Sequence, residues 1–266
     1  MKIVVCVKQV PEVTNVQVDP VTGTLIREGV KSILNPFCEY ALDHAVRIAK
    51  ANPGVEIIAV SMGPNQARDV LLRSFELGAD RGVLVTDRKF AGADTWVTAL
   101  TLANAIRFAV PDFDLILVGK QAIDGDTAQV GPEIAEILGL PQITYAVDVS
   151  LGSSGKRVLV KCEVEQGYEI IEAGLPALVT VSKGEVVRRA PSLQAVLCAR
   201  QKPIQVVTAK DLPIPEEELG LKGSFTQVVR IFPPQAKKNC RLIQGSEAQD
   251  AAAEIYAFLR EMRFVS

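Results

Sequence analysis

The sequence predicts an α/β fold: a parallel sheet with helices on both faces, an antiparallel extension and a C-terminal arm. Three observations predict it. Apolar strands and amphipathic helices alternate four times with short joints, the pattern of right-handed β-α-β crossovers. Leu115, Ile116, Leu117 and Val118 form an unbroken apolar run, as in a strand buried on both faces. After Pro141 short strands with Gly and Ser turns take over, and beyond residue 200 prolines interrupt any regular pattern.

Ile3 to Val7 reads as the first core strand. Val16 to Asp19 and Thr24 to Ile26 flank the turn Pro20 to Gly23, which suggests a small hairpin. Asn35 before Pro36 is a helix N-cap with proline at the first helical position. The helix from Pro36 to Lys50 buries Ala41, Leu42, Ala45, Ile48 and Ala49. Val55 to Val60 is the second core strand. Gly63 and Pro64 open a helix that stops at Gly78. Gly82 to Thr86 is the third core strand, and Asp94 caps a helix carrying Val97, Leu100, Leu102 and Ile106.

The fourth unit, Asp114 to Pro141, organises the rest. Its strand ends in a polar loop, and a helix follows with Val130, Ile134, Ile137 and Leu138 as its buried stripe. Gly119 and Gly125 let backbone approach a ligand closely. Asp126 is an N-cap candidate, with Gln129 at capping-box spacing. Pro132 favours a later start, at Gly131. Either start aims free N–H groups and the positive end of a helix dipole at the loop, which suits a phosphate. Ligands in such sheets bind beyond the carboxyl ends of the strands, near a switch in strand order. The ends at Cys6 to Lys8, Ser61 to Pro64 and Gly119 to Thr127 are therefore the candidates. Spacing alone leaves two readings, a nucleotide loop or a plain βα turn rich in turn formers. Lys8 and Lys120 are phosphate partners in the first and solvated cations in the second. Glu39 and Asp43 read as solvated helix residues.

Past Pro141, Ile143 to Val149, Arg157 to Val164, Tyr168 to Glu172 and Ala177 to Val181 read as antiparallel strands extending the sheet. Pro191 to Arg200 is a short helix with Leu193, Val196 and Leu197 on or near one face, either core or partner contact. A linker with Pro203, Pro213 and Pro215 follows, and Pro233 with Pro234 breaks the chain again. Ser246 and Gln249 have capping-box spacing before a last helix with the stripe Ile255, Phe258, Leu259 and Met262. A tail of this kind has little core of its own and needs another surface.

Composition excludes several classes. A net charge of -2 gives no electrostatic case for nucleic acid or anionic membrane. No apolar run reaches the roughly 20 residues that span a bilayer. The start MKIVVCVKQVP lacks a cleavage pattern, so a cytoplasmic protein is expected. The five cysteines (Cys6, Cys38, Cys162, Cys198, Cys240) form no CxxC pair and His44 is the only histidine, which argues against zinc and iron–sulfur sites. His44 falls within a helix, read as a satisfied helical histidine rather than part of a catalytic triad. Neither GxxxxGK[ST] nor GxGxxG occurs in the loop.

Five motifs resemble the beta subunit of electron-transferring flavoproteins over nearly the whole chain. They are VKQVP at Val7 to Pro11, NPFCEYALDHAVRI at Asn35 to Ile48, SMGP at Ser61 to Pro64, LGADRG at Leu77 to Gly82, and VGKQAIDGDTAQVGP at Val118 to Pro132. One departure lies away from the loop. The family pattern V-x-R-x-x-D-G-G meets Val160, Lys161 and Cys162 here, with Glu165, Gln166 and Gly167 after.

The resemblance implies an adenine-nucleotide-hydrolase-like fold and a heterodimer with a larger alpha subunit. Residues 1–200 would be the nucleotide-binding domain, and 201–266 an extended linker and helix packing on the alpha subunit. The implied cofactor contacts are Cys6, the turn Asn35, Pro36, Phe37 and Cys38, and Met62. The loop adds Gly119, Lys120, Gln121, Ala122, Ile123 and Asp124, then Gly125, Asp126, Thr127, Ala128, Gln129 and Val130. No side chain is implied as catalytic, and no metal. The form DGDTAQVG resembles electron-bifurcating members, which implies FAD, with AMP as the alternative. NADH would then be the electron donor. One electron would go to ferredoxin, and the other to the alpha-subunit FAD and on to a flavin-type dehydrogenase for an acyl-CoA or lactate. Leu193, Val196 and Leu197 fall on the family's dehydrogenase-docking segment. Two rivals remain: a non-bifurcating carrier with structural AMP, and a stand-alone ATP-binding stress-type module.

Overall fold

Uninterrupted apolar strands flanked by one-sided helices need a sheet covered on both faces, and the chain builds one. The computed structural model describes residues 1–12, 32–184, 190–229 and 248–265. In chain order the elements are β1 (Lys2–Cys6), β2 (Gln9–Pro11), β3 (Ser32–Leu34), α1 (Pro36–Ala51), β4 (Glu56–Met62), α2 (Arg68–Leu77), β5 (Arg81–Val85), α3 (Thr95–Ala109) and β6 (Leu115–Gly119). There follow α4 (Val130–Leu138), β7 (Gln142–Leu151), β8 (Arg157–Val164), β9 (Gly167–Gly174), β10 (Ala177–Val181), α5 (Leu193–Ala199), β11 (Ile204–Val207), α6 (Gly220–Gly223) and α7 (Ala248–Glu261). The expected hairpin around Pro20 to Gly23, the Pro233–Pro234 break and the Ser246 cap lie outside the described residues.

The main sheet has the order β11-β5-β4-β1-β6-β10-β7-β8-β9, and β2 pairs with β3 separately. The chain runs outward from β1 to β4 and β5, then returns to place β6 on the other side of β1. The order of strands therefore reverses at β1 and β6, and their carboxyl ends open the crevice where such sheets bind ligands. Strand alternation divides the core. Ile3, Val5, Leu115 and Leu117 face α1 and α2. Val4, Cys6, Ile116 and Val118 face α3 and α4. Ile116 and Leu117 are fully buried, each burial being worth about 1.5–3 kcal/mol.

Two sequence expectations fail here. Ala177 to Val181 is not part of an antiparallel extension. As β10 it lies parallel between β6 and β7, and β7 is itself parallel to it. Among the described residues of the main sheet, antiparallel pairing is confined to β8 against β7 and β9 against β8. The reason is burial: all of β10 is buried, whereas β8 alternates. The second failure is the linker. Ile204 to Val207 forms the edge strand β11, parallel to β5. The compact unit built on this sheet runs from Met1 to Arg230. The second unit, Ile231–Ser266, contains α7, which has no buried residue and carries Ile255 and Phe258 exposed, with exposed Met262 just after its end. Among the described residues no helix is long and apolar enough to cross a membrane.

Helix ends follow local chemistry. The Asp94 side chain accepts the Val97 N–H at 3.1 Å and caps α3 as expected. Gly78 ends α2 at φ +125, where a β-carbon would also meet Val46 at 2.8 Å. A short 3-10 turn, Asn65–Ala67, precedes α2, so that helix begins later than Gly63 and Pro64 implied.

His44 is not a satisfied histidine. It is fully buried on α1 and neither ring nitrogen has a hydrogen-bond partner. Asp148 approaches its Nδ1 only to 3.9 Å and is engaged by Arg47 at 3.0 Å. Burial holds the His44 pKa below its ordinary value, and Arg47 adds to that. As pH falls, the unfolded chain therefore takes up the proton first. Stability is full above about 6.5 and declines below it. Because the chain has one histidine, urea unfolding between about pH 7.5 and 5.5 isolates this group. Wild type loses stability over that range and His44→Leu does not; equal slopes would assign the loss elsewhere.

Candidate nucleotide-binding site

The crevice at the switch point is closed by residues far apart in sequence. Asn35 stands at the N-cap position of α1, but its side chain does not cap the helix. Its Nδ2 donates to the Gln121 carbonyl at 2.8 Å, and its Oδ1 accepts the Ile123 N–H at 3.2 Å. Nδ2 also reaches the Cys38 Sγ at 3.3 Å. The Asn35 N–H donates to the Lys8 carbonyl at 3.0 Å, and the residue is 1% exposed. One buried amide thus joins the segment after β1, the start of α1 and the loop after β6.

Gly119 is needed in the same place. A β-carbon there would lie 2.7 Å from the Phe37 carbonyl carbon and 2.8 Å from the Cys38 nitrogen. Its missing side chain admits the first turn of α1 rather than a ligand, which corrects the sequence expectation. Gly125 differs: a β-carbon there would meet nothing within 4 Å. It remains an open position on the loop.

The expected cap of α4 is also corrected. The helix starts at Val130, with Gln129 in the N-cap position and no side-chain cap. Asp126 sits three residues earlier at φ +59, and its carboxylate accepts from the Gln121 side-chain amide instead. Ala128 also has positive φ, +56. Pro132, third in the helix, costs nothing because the N–H it lacks would be an orphan donor. Among the described residues, the N–H groups of Thr127, Ala128, Gln129, Val130 and Gly131 donate to no protein acceptor. These donors sit beyond the carboxyl end of β6, at the positive end of α4.

Charge around the loop is arranged in pairs. Lys8 Nζ meets Asp124 Oδ1 at 2.7 Å, bridging the segments after β1 and β6. The Thr95 hydroxyl lies 3.1 Å from Glu133 Oε1 and 3.4 Å from Gln129 Oε1, linking the first turns of α3 and α4. Glu133 Oε2 is buried without a partner. Desolvation raises the Glu133 pKa above the usual carboxylate range and Asp94 adds to that, while the Thr95 hydroxyl opposes it. Cys6 and Cys38 are buried thiols. Burial and neighbouring Cys38 push Cys6 up to about 12, and burial raises Cys38, so both stay protonated. Met62 ends β4 half-buried at the crevice.

The structure therefore brings together Asn35 to Cys38 and Gly119 to Val130, with Cys6 and Met62 at adjacent strand ends. It sets the segment of Leu193, Val196 and Leu197 apart, on α5, which packs on α2. Leu193 is 77% exposed and Leu197 63%, so these two are surface rather than core, while Val196 is half-buried. Thr95 and Glu133 were not anticipated; they become neighbours only when α3 packs on α4. Replacing Asn35 with Ala leaves the Gln121 carbonyl and Ile123 N–H unpaired. The variant is expected to lose about 1–3 kcal/mol in denaturant unfolding, and hydrogen exchange over residues 120–126 should accelerate. Unchanged exchange would show that the loop holds without this amide.

Comparison with known proteins agrees with this architecture. Residues 22–212 match the model of the electron transfer flavoprotein domain. The chain is 43% identical over 265 residues to the caffeyl-CoA reductase-Etf complex subunit CarD of Acetobacterium woodii, covering 100% of both chains. It is 43% identical over 265 residues to the electron transfer flavoprotein subunit beta of Clostridium acetobutylicum, again covering 100% of both. The corresponding subunit of Megasphaera elsdenii is 46% identical over 257 residues, covering 95% of this chain and 94% of that one. This chain belongs to the electron transfer flavoprotein family, among its beta subunits.

Proposed function

We propose that the chain holds FAD in the crevice at the β1–β6 switch point and serves an NADH-driven, electron-bifurcating complex. The family role, electron transfer by a beta subunit paired with an alpha subunit, is the frame. The observation that carries the cofactor reading is the row of unpaired N–H groups from Thr127 to Gly131 beside an open Gly125. Such a row suits the diphosphate of a dinucleotide. The fit extends to charge, since Lys120 stands at the rim.

In this reading the bound flavin supplies two-electron acceptance and one-electron release, and the protein supplies position and electrostatics. Thr127 to Gly131 hold the phosphates through backbone. Asn35 and Gly119 keep the loop against α1 so that those donors stay aimed. The electrons are divided between ferredoxin and the FAD of the alpha subunit, which feeds a dehydrogenase. Full-length likeness to a subunit of a caffeyl-CoA reductase complex favours an acyl-CoA-type partner over lactate. The exposed stripe of α7 suits a helix that packs on the alpha subunit.

Two experiments follow. The purified heterodimer should contain two FAD and no AMP by acid extraction and mass analysis; one FAD with one AMP would replace this reading by that of a non-bifurcating carrier. In the second, Leu193→Glu should weaken binding to the dehydrogenase by roughly tenfold or more, the loss expected for a docking anchor, with flavin content unchanged. Loss of flavin with full docking would show instead that Leu193 supports the fold.

A further inference from the structure

We propose that Tyr145 is a positioning residue of the nucleotide site, its ring holding the Lys120 ammonium beside the loop that follows β6. The inference rests on the nucleotide reading above and adds a residue outside the loop to it.

Tyr145 lies in β7 at φ +58, a conformation that bulky residues rarely adopt. The cause is local. Pairing of β10 with β7 shifts from Val179 opposite Ile143 to Val181 opposite Ala146, so Thr144 and Tyr145 form a bulge. Bulges re-aim a side chain that regular pairing would send elsewhere. This one is fastened from below. The Thr180 Oγ1 accepts the Tyr145 N–H at 3.2 Å, and Thr180 is 3% exposed. The same Thr180 lies under the start of α4, where a β-carbon on Gly131 would meet its Cγ2 at 2.7 Å. The strained tyrosine and the donor-bearing helix turn thus share one support.

The re-aimed ring is 43% exposed, and the Lys120 Nζ sits over it at 4.9 Å from the centroid. The Lys120 backbone is fixed too, its N–H donating to the Val181 carbonyl at 2.7 Å. A lysine held at both ends gives up its rotamer freedom before a ligand arrives, which is preorganisation. Of the two loop cations, Lys8 is neutralised by Asp124 at 2.7 Å. Among the described residues Lys120 makes no ion pair. Its charge is therefore the one available to phosphate, and the ring decides where it stands.

The test uses the intact heterodimer and follows release of its bound nucleotide on dilution, with melting temperatures measured in parallel. Tyr145→Phe keeps the ring and should release nucleotide at the wild-type rate. Tyr145→Leu and Tyr145→Gly should both release it about two- to fivefold faster, the factor an exposed cation–π contact is worth. Glycine relieves the positive φ, so Tyr145→Gly should melt above Tyr145→Leu while sharing its fast release. Both should show weaker salt dependence of release than wild type, and Lys120→Met should add nothing further in the Tyr145→Leu background. Release rates that follow melting temperature, with Tyr145→Gly retaining nucleotide as wild type does, would reduce Tyr145 to a structural role and overturn the proposal. Wild type holding no nucleotide at all would overturn the reading of the site, and this inference with it.

Discussion

The amide of Asn35 is the constraint on which the site depends. It is buried, bonded on both its nitrogen and its oxygen, and spans more than eighty residues of chain to the loop after β6. Without it the loop would be an ordinary turn at the carboxyl end of a central strand. With it, Gln121 to Ile123 are fixed, and the chain beyond must reach Val130 through two left-handed residues, Asp126 and Ala128. That path leaves the donors ahead of α4 unpaired. The helix is not capped by a side chain, and the vacant cap is what a ligand can use. Gly119 serves the same end from beneath, since α1 can approach only where a β-carbon is missing.

Electrostatics around the loop suit an anion without a large net charge. Lys8 and Asp124 neutralise one another. Glu133, which would repel phosphate if ionised, is pushed toward its neutral form by burial. The buried thiols Cys6 and Cys38 remain uncharged. The attraction that remains comes from backbone donors, a helix dipole and Lys120. Such an arrangement binds through geometry more than through charge, which fits a chain of net charge -2.

Much of this was legible in the sequence, and the failures share a cause. The core strands β1, β4, β5 and β6 were plain because burial on both faces demands unbroken apolar runs. The buried pentad of β10 carried the same signal, but its partners β6 and β7 are distant in sequence, so its place between them was hidden. β11 is four residues beside prolines, too short to announce itself. At the site, what the sequence hid was how two side chains are used. Asn35 and Asp126 both have cap chemistry, yet each spends its side chain on the loop, because tertiary contacts compete with local capping. Nothing in a sequence marks a tyrosine for positive φ, so Tyr145 became visible only with the β7 bulge in place.

The account turns on whether phosphate lies against the amides of Thr127 to Gly131. Hydrogen exchange of the intact heterodimer, compared with and without its nucleotide, addresses those amides directly. Bound nucleotide should slow exchange in the peptide covering residues 127–131 more than in any other part of this subunit. Protection confined to other segments, with this peptide unchanged, would contradict the account.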